Sequence, residues 1–366
     1  MKIGILGTRG IPNNYGGFEQ FADYLAGGLV EKGREVYVYN SHNHPYQEKT
    51  YKGAHIIHVN DPEHKVGTAG QFIYDFNCIM DSRKRDFDIL LQLGYTSSSV
   101  WSSLMPKASF IVTNMDGLEW KRSKYSKPVQ QFLKQAEKWA ARSSHHLVAD
   151  SIGIQTYLKD KYHLDSTYIP YGAEVFVNPN AEALKEYGVE AGNFALLIAR
   201  MEPENNVETI LKAYDQLDDP MPLLVVGRTD NKFGGYLKKQ FDANPAIRFM
   251  EGIYDFEKLN NLRYYSSIYF HGHSVGGTNP SLLEAMAASA YIIAHDNVFN
   301  KAILGEDASY FNNDSQLLSL LKEDIAKESK AVAIKKNIEK VESKYSWSQI
   351  INSYDDLFAN LVGEKG

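Results

Sequence analysis

The side chains able to do chemistry in this chain follow apolar runs. One segment, Ser274-Val275-Gly276-Gly277-Thr278-Asn279-Pro280-Ser281-Leu282-Leu283-Glu284, leaves the run IYFHGH, which ends at His273. It passes through a glycine turn and enters a helix with proline near its first positions. The amides of Gly277, Thr278 and Asn279 point beyond the strand end. Glu284, about one turn further on, is a carboxylate able to accept two hydrogen bonds from a ribose diol. A solvated glutamate on a surface helix is the plain alternative. Arg200 ends the run FALLIAR and offers a rigid fork of donors suited to phosphate. A structural salt bridge to Glu202 or Glu204 is its competing use.

A second glycine-rich stretch lies at the opening, GTRGIPNNYGGFE, directly after the strand-like KIGIL. A dinucleotide fingerprint needs G-x-G-x-x-G in a tight turn and an acidic residue ending the next strand. Here the glycines are Gly7, Gly10, Gly16 and Gly17, and the next run, EVYVYN, ends in Asn40. The spacing and the terminal residue both argue against a dinucleotide. Gly16 and Gly17 at a helix start still make an anion site of exposed N–H groups at a positive dipole end. The alternative is a flexible turn with Glu19 favouring the first helical turn.

The elements that position these residues alternate regularly. KIGILG, EVYVYN, AHIIHV, FDILLQL, SFIVTN and HHLVAD read as buried strands, and FALLIAR, PLLVVG, IRFMEGI, IYFHGH and AYIIAHD repeat the scheme. Such near-continuous apolar runs are those of parallel strands covered on both faces. Helical periods separate them, beginning with Phe18, Phe21, Ala22, Leu25 and Leu29. The fold class expected is α/β, with two doubly wound parallel sheets and a cleft between them. The domains expected are residues 1–172, 173–345 and a final helix, 346–366, crossing back to the first. Ligands of such sheets sit beyond the carboxyl ends of the strands.

Composition sets outer limits. The 366 residues carry 43% hydrophobic and 23% charged residues, as ordinary globular proteins do. Nothing approaches a membrane span, and MKIGILG reads as a short strand rather than a signal-peptide core. The single cysteine, Cys78, fits a reducing compartment, so a cytoplasmic protein is expected. A net charge of −6 argues against nucleic-acid binding. That charge is uneven: residues 1–170 hold 20 basic against 17 acidic side chains, the remainder 19 against 28. The stretch Trp120-Lys121-Arg122-Ser123-Lys124-Tyr125-Ser126-Lys127 interleaves bases with aromatics, and Arg83-Lys84-Arg85 adds a second cluster. Patches of this kind suit anionic headgroups or a diphosphate, although solvated surface is the commoner reason for such charge.

Taken in order, ARMEPENNVETIL, LLVVGR, RFMEGIYDFEKLNNL and GGTNPSLLEAMAAS resemble the donor-binding domain of GT-B-fold retaining glycosyltransferases. GTRGIPNNYGGFEQ and TNMDGLEWKRSKYS resemble a bacterial branch containing rhamnosyltransferases of capsule and cell-surface polysaccharide synthesis. The resemblance implies sugar transfer, with retention, from a nucleoside diphosphate donor, such as dTDP-rhamnose, to an acceptor hydroxyl of a saccharide. The basic-aromatic stretch around Trp120 leads further to a polyprenyl-diphosphate-linked acceptor, with peripheral association at the inner membrane face. By resemblance Glu284 holds the donor ribose and Arg200 the diphosphate. Gly16 and Gly17 approach that diphosphate, Ile253 and Tyr254 meet the base, and Gly227 and Arg228 lie on the VVGRTDNK loop beside it.

Three departures stand out. The first glutamate of the family's pair falls on Gly276, and its usual lysine on Asn205, for which Arg228 or Lys232 would have to substitute. Where the family often has a histidine, this chain has Asn114, Met115 and Asp116. Asp116 is the candidate near the reacting carbon, with turn-capping before Gly117 as its alternative. Asn13, Asn14, Tyr15 and His273 are assigned to acceptor or sugar. Asp86-Phe87-Asp88 matches a metal motif of the other glycosyltransferase fold but precedes a strand, so neither a metal nor a cofactor is expected. A nucleotide-sugar epimerase and a non-catalytic nucleotide-sugar-binding subunit stay open as alternatives.

Overall fold

The computed structural model describes residues 1–14, 16–323 and 326–363. They form two compact units. The first comprises Met1–Trp120, Tyr125–Tyr171 and the segment from Trp347 onward; the second comprises Lys121–Lys124 and Gly172–Ser346.

The first unit is built on an eight-stranded sheet. Its strands are β1 (Lys2–Leu6), β2 (Glu35–Ser41), β3 (Thr50–Tyr51), β4 (Ala54–Val59), β5 (Ile89–Leu93), β6 (Phe110–Asn114), β7 (His146–Ala149) and β8 (Thr167–Tyr168). They run in the order β3-β4-β2-β1-β5-β6-β7-β8, all parallel except the β3–β4 pair. The order reverses at β1, which is flanked by β2 and β5. Helix Gly17–Glu31 buries Phe21, Ala22, Leu25, Ala26 and Leu29. It ends as its glycine requires, with Gly33 at φ +77°.

The same helix meets the terminal helix Trp347–Gly363 through a Tyr24–Trp347 stack at 4.4 Å and a Phe21–Tyr354 edge contact at 5.4 Å. Each buried aromatic of this kind contributes about 2–3 kcal/mol. Arg34 closes the contact with a two-pronged pair on Asp355, 2.7 Å at the shorter bond.

The second unit holds a six-stranded, wholly parallel sheet. Its strands are β9 (Ala195–Ile198), β10 (Leu223–Val226), β11 (Ile247–Met250), β12 (Ile268–His271), β13 (Ile292–His295) and β14 (Ser309–Phe311), ordered β11-β10-β9-β12-β13-β14. This is a doubly wound order whose switch point lies between β9 and β12. Leu197, Val225, Phe270 and Ile293 put the strands' apolar side chains into one core with Ile210, Leu211 and Leu237 of the flanking helices. The apolar runs all became strands. The edge strands β3, β8 and β14 were not anticipated, because two or three residues carry too little pattern to read.

Candidate active site

At the switch point of the second unit, chain segments approach closely enough that glycine is needed. A Cβ on Gly272, just past β12, would stand 2.1 Å from the Asn205 carbonyl oxygen. One on Gly227, past β10 with φ +156°, would stand 2.1 Å from the Ala199 carbonyl. Arg200 emerges beside them and is exposed. Among the described residues no ion pair or side-chain hydrogen bond reaches its guanidinium. Its carbonyl accepts from the Glu202 amide and from Asn205 Nδ2, each at 2.8 Å. Asn205, 5% exposed, therefore fixes the turn that carries Arg200 and supplies no cation.

The two acids proposed as Arg200's structural partners are engaged elsewhere. Glu202 pairs with Lys124 at 3.2 Å and Arg122 at 3.7 Å. Burial pushes its carboxyl up, but Lys124, Arg200 and Arg122 together hold it below the usual range. Glu204 accepts from Ser123 Oγ at 2.5 Å, and its carbonyl holds Ser274. Part of the basic stretch seen in the sequence is thus paired within the second unit: Ser123 donates to Glu204, and Arg122 and Lys124 meet Glu202, while Lys121 and Lys127 are exposed. Trp120, in the first unit, donates to buried Glu137 at 3.0 Å. Glu137 also accepts from Tyr157, Lys161 and Tyr162.

Glu284 lies on helix Pro280–Ala287, which Asn279 caps by accepting the Ser281 amide at 2.9 Å. Its Oε2 pairs with Arg263 Nη2 at 2.5 Å, and the two side chains are 13% and 1% exposed. Arg263, from helix Phe256–Tyr265, also donates to Asn260 Oδ1 at 2.9 Å. Ser281 Oγ joins this group to the Tyr269 hydroxyl at 2.7 Å. Glu284 is therefore held in one direction, and its Oε1 takes no hydrogen bond among the described residues. Arg263 was missed from sequence. A helical arginine spaced like any solvated one carries no signal of burial.

His271 and His273 stack, ring centroids 4.6 Å apart and 19° from parallel. Burial and then His273 drive the His271 imidazole well down in pKa. His273 is pushed down to about 4 by burial, then by Arg200 and Arg122. Both rings are neutral at pH 7, so each offers one donor and one acceptor. The unfolded chain protonates first as pH falls, so stability from His273 is intact above about 6.5 and is lost towards about 4. The urea midpoint is expected to drop between pH 7 and pH 4.5, and to drop less in His273→Asn.

Gly276 has φ +132°, and a Cβ there would meet open space. Room for the absent glutamate exists, but the backbone favours glycine. Gly277 and buried Thr278 complete the turn. Tyr254 is 79% exposed on the loop after β11, next to Ile253. Arg228 forms an exposed ion pair with Asp230, so its charge is compensated there. Lys232 opens helix Lys232–Phe241.

In the first unit, Arg9 to Asn13 of the opening loop are tied to the fold by hydrogen bonds. Asn40, fully buried at the end of β2, accepts the Ile11 amide at 3.1 Å and donates to the Ile11 carbonyl at 2.8 Å. It occupies the place where a dinucleotide fold keeps its ribose acid. Glu19 accepts the Arg9 amide at 2.9 Å and Asp23 the Asn13 amide at 3.1 Å. Asn40→Ala is expected to lower stability by about 2 kcal/mol, because both Ile11 groups lose their partner; a urea melt reads this. Asn13 and Asn14 are exposed, Gly16 is the extended N-cap and Gly17 starts the helix. Tyr15 lies outside the described residues.

Asp116 follows β6 at φ +49°, its amide donating to Asn114 Oδ1 at 3.0 Å. Asn114 in turn donates to the Tyr354 hydroxyl at 3.1 Å. A non-glycine residue in this region is uncommon and marks positions worth functional attention. Asp86-Phe87-Asp88 sits before β5, where Asp88 accepts the Lys2 amide at 2.7 Å.

These two parallel-sheet units are those of the GT-B glycosyltransferase fold. Solved structures with this architecture include sucrose-phosphate synthase from Thermosynechococcus elongatus, with TM-score 0.80 and 16% identity over 99% of each chain. Anabaena HepE in complex with UDP and glucose gives TM-score 0.76 and 14% identity, covering 98% of this chain and 100% of that one. Trehalose 6-phosphate synthase from Burkholderia multivorans gives TM-score 0.73 and 10% identity, covering 100% and 99%. Residues 180–341, within the second unit, match the family described as glycosyl transferases group 1. Residues 1–174 match a family described as a domain of unknown function, DUF1972. No curated protein sequence matches the chain significantly.

Proposed function

We propose that the protein transfers a hexose, with rhamnose as the leading candidate, from a nucleoside diphosphate to an acceptor hydroxyl, with retention of configuration. The observation that carries this reading is Glu284, fixed by a buried arginine beside the switch point where Arg200 stands exposed. Glu284 Oε1 would take the donor ribose. Arg200 and the amides of Gly277, Thr278 and Asn279 would meet the negative charge that builds on the departing diphosphate. No strong nucleophile is required, because the leaving phosphate assists removal of the acceptor proton. Neutral His273 suits a hydrogen bond to a sugar hydroxyl where Gly276 has no side chain.

The first unit would supply acceptor-side groups, with Asp116, Asn13 and Asn14 as candidates and a lipid-linked saccharide of surface-polysaccharide synthesis as acceptor. The test is product analysis with a panel of nucleotide sugars, with and without acceptors. A new glycoside keeping the donor's anomeric configuration, formed only with acceptor, is expected. An altered nucleotide sugar without acceptor would indicate an epimerase, and binding without turnover a non-catalytic subunit.

A further inference from the structure

The first unit carries an apolar face that its own packing leaves uncovered. Ile73, Val100, Val129 and Trp139 are all more than a third exposed. They lie on helix Ala69–Ser82, the short helix Ser98–Leu104 and helix Lys127–Ser143, which pack side by side. Ring contacts join them into one surface, with Phe132 5.8 Å from Phe72 and 6.5 Å from Trp139. Trp101 ties the short helix to the first by donating to the Phe72 carbonyl at 2.8 Å.

On helix Lys127–Ser143 the buried stripe is Leu133, Ala136, Glu137 and Ala140; Val129, one turn before Leu133, begins that stripe yet is 40% exposed, and Phe132 and Trp139, seven residues apart, flank it. Single exposed apolar residues are ordinary; a connected aromatic surface of this kind marks an interaction site.

The charge around this face has one sign. Helix Lys127–Ser143 carries Lys127, Lys134, Lys138 and Arg142, and its one acid, Glu137, is buried among the donors named above. On helix Ala69–Ser82, Asp81 is paired with Arg85. Asp75 is buried against Ser97 Oγ at 2.5 Å, and burial pushes its carboxyl up to about 6. Helix Ser98–Leu104 has no charged residue, and Lys107 follows it.

A second copy of this chain would set these lysines against each other, since a two-fold interface brings the same patch to both sides. An anionic surface gains from the lysines and accepts tryptophan and phenylalanine at the headgroup level. We propose that this face docks the protein on an anionic lipid bilayer. This places the membrane contact on the face that begins at Lys127, apart from Trp120, Arg122 and Lys124, which are engaged within the protein. The inference does not depend on sugar transfer.

The test is co-sedimentation of the full chain with vesicles of mixed phosphatidylglycerol and phosphatidylcholine, against pure phosphatidylcholine. Binding to the mixed vesicles alone is expected, released by high salt. Val129→Ser/Trp139→Ser and Lys127→Glu/Lys138→Glu should each weaken it about tenfold, with thermal midpoints near the wild type because these side chains lie on the surface. Turnover of a water-soluble acceptor should be unchanged in both. Absent binding to anionic vesicles, or binding untouched by either variant, would overturn the proposal. So would a solution dimer that Val129→Ser/Trp139→Ser dissociates, which would make the face a contact between copies.

Discussion

Glu284→Ala is expected to weaken nucleoside diphosphate binding about a hundredfold, the worth of two charge-assisted hydrogen bonds to a ribose diol. The same change should cost the fold about 3–5 kcal/mol, because it strands a buried charge. Arg263, at 1% exposure, keeps Asn260 as an acceptor but loses the Glu284 carboxylate. The two losses can be separated. In Arg263→Met/Glu284→Leu both charges go, and buried pairs replaced by apolar residues are often neutral in stability. That double variant should melt near the wild type and still fail to bind nucleotide. Isothermal titration and urea unfolding of the three proteins read both halves of the expectation.

Arg263→Met is expected to have the second-largest effect, although Arg263 itself makes no contact with the ligand in the proposed role. Glu284 would remain 13% exposed without its cation, at a similar stability cost. Its carboxylate would no longer be held in one direction, so nucleotide affinity should fall about tenfold, less than on removing Glu284 itself. Arg263→Lys should rescue only in part. An ammonium lacks the planar fork that meets Asn260 and Glu284 at once. Full affinity in Arg263→Met at a temperature where it stays folded would show that Glu284 needs no support.

What was legible in the sequence is what burial writes into composition. Parallel strands covered on both faces must be continuously apolar, so FDILLQL and FALLIAR announced themselves as β5 and β9. The glycine turn before Glu284 was readable because proline and asparagine mark a helix start. Asn40 was readable only as an absence. The missing ribose acid spoke against a dinucleotide, while its hold on Ile11 depends on a residue far away in the chain.

Arg263 and Glu137 were invisible for a related reason. Each is a charge on a helix of ordinary polar pattern, and its burial comes from long-range partners: Glu284 and Ser281 for one, Trp120 and Tyr162 for the other. Which cations of Trp120–Lys127 are paired was not legible either, because solvated and internally paired side chains look alike in sequence; Arg122 and Lys124 meet Glu202. The exposure of Val129 and Trp139 was hidden too, since helical spacing alone does not say which apolar positions the neighbouring elements cover.

The most direct test of the nucleotide-sugar reading is a thermal-shift screen of the purified protein against nucleoside diphosphates, repeated with Glu284→Ala. A ligand at a hundredfold excess over its Kd adds about 2.7 kcal/mol to stability, enough to raise the midpoint by about 5 °C in units of this size. At least one nucleoside diphosphate is expected to produce such a shift in the wild type and none in Glu284→Ala. No shift from any of them, or an equal shift in the variant, would contradict the account.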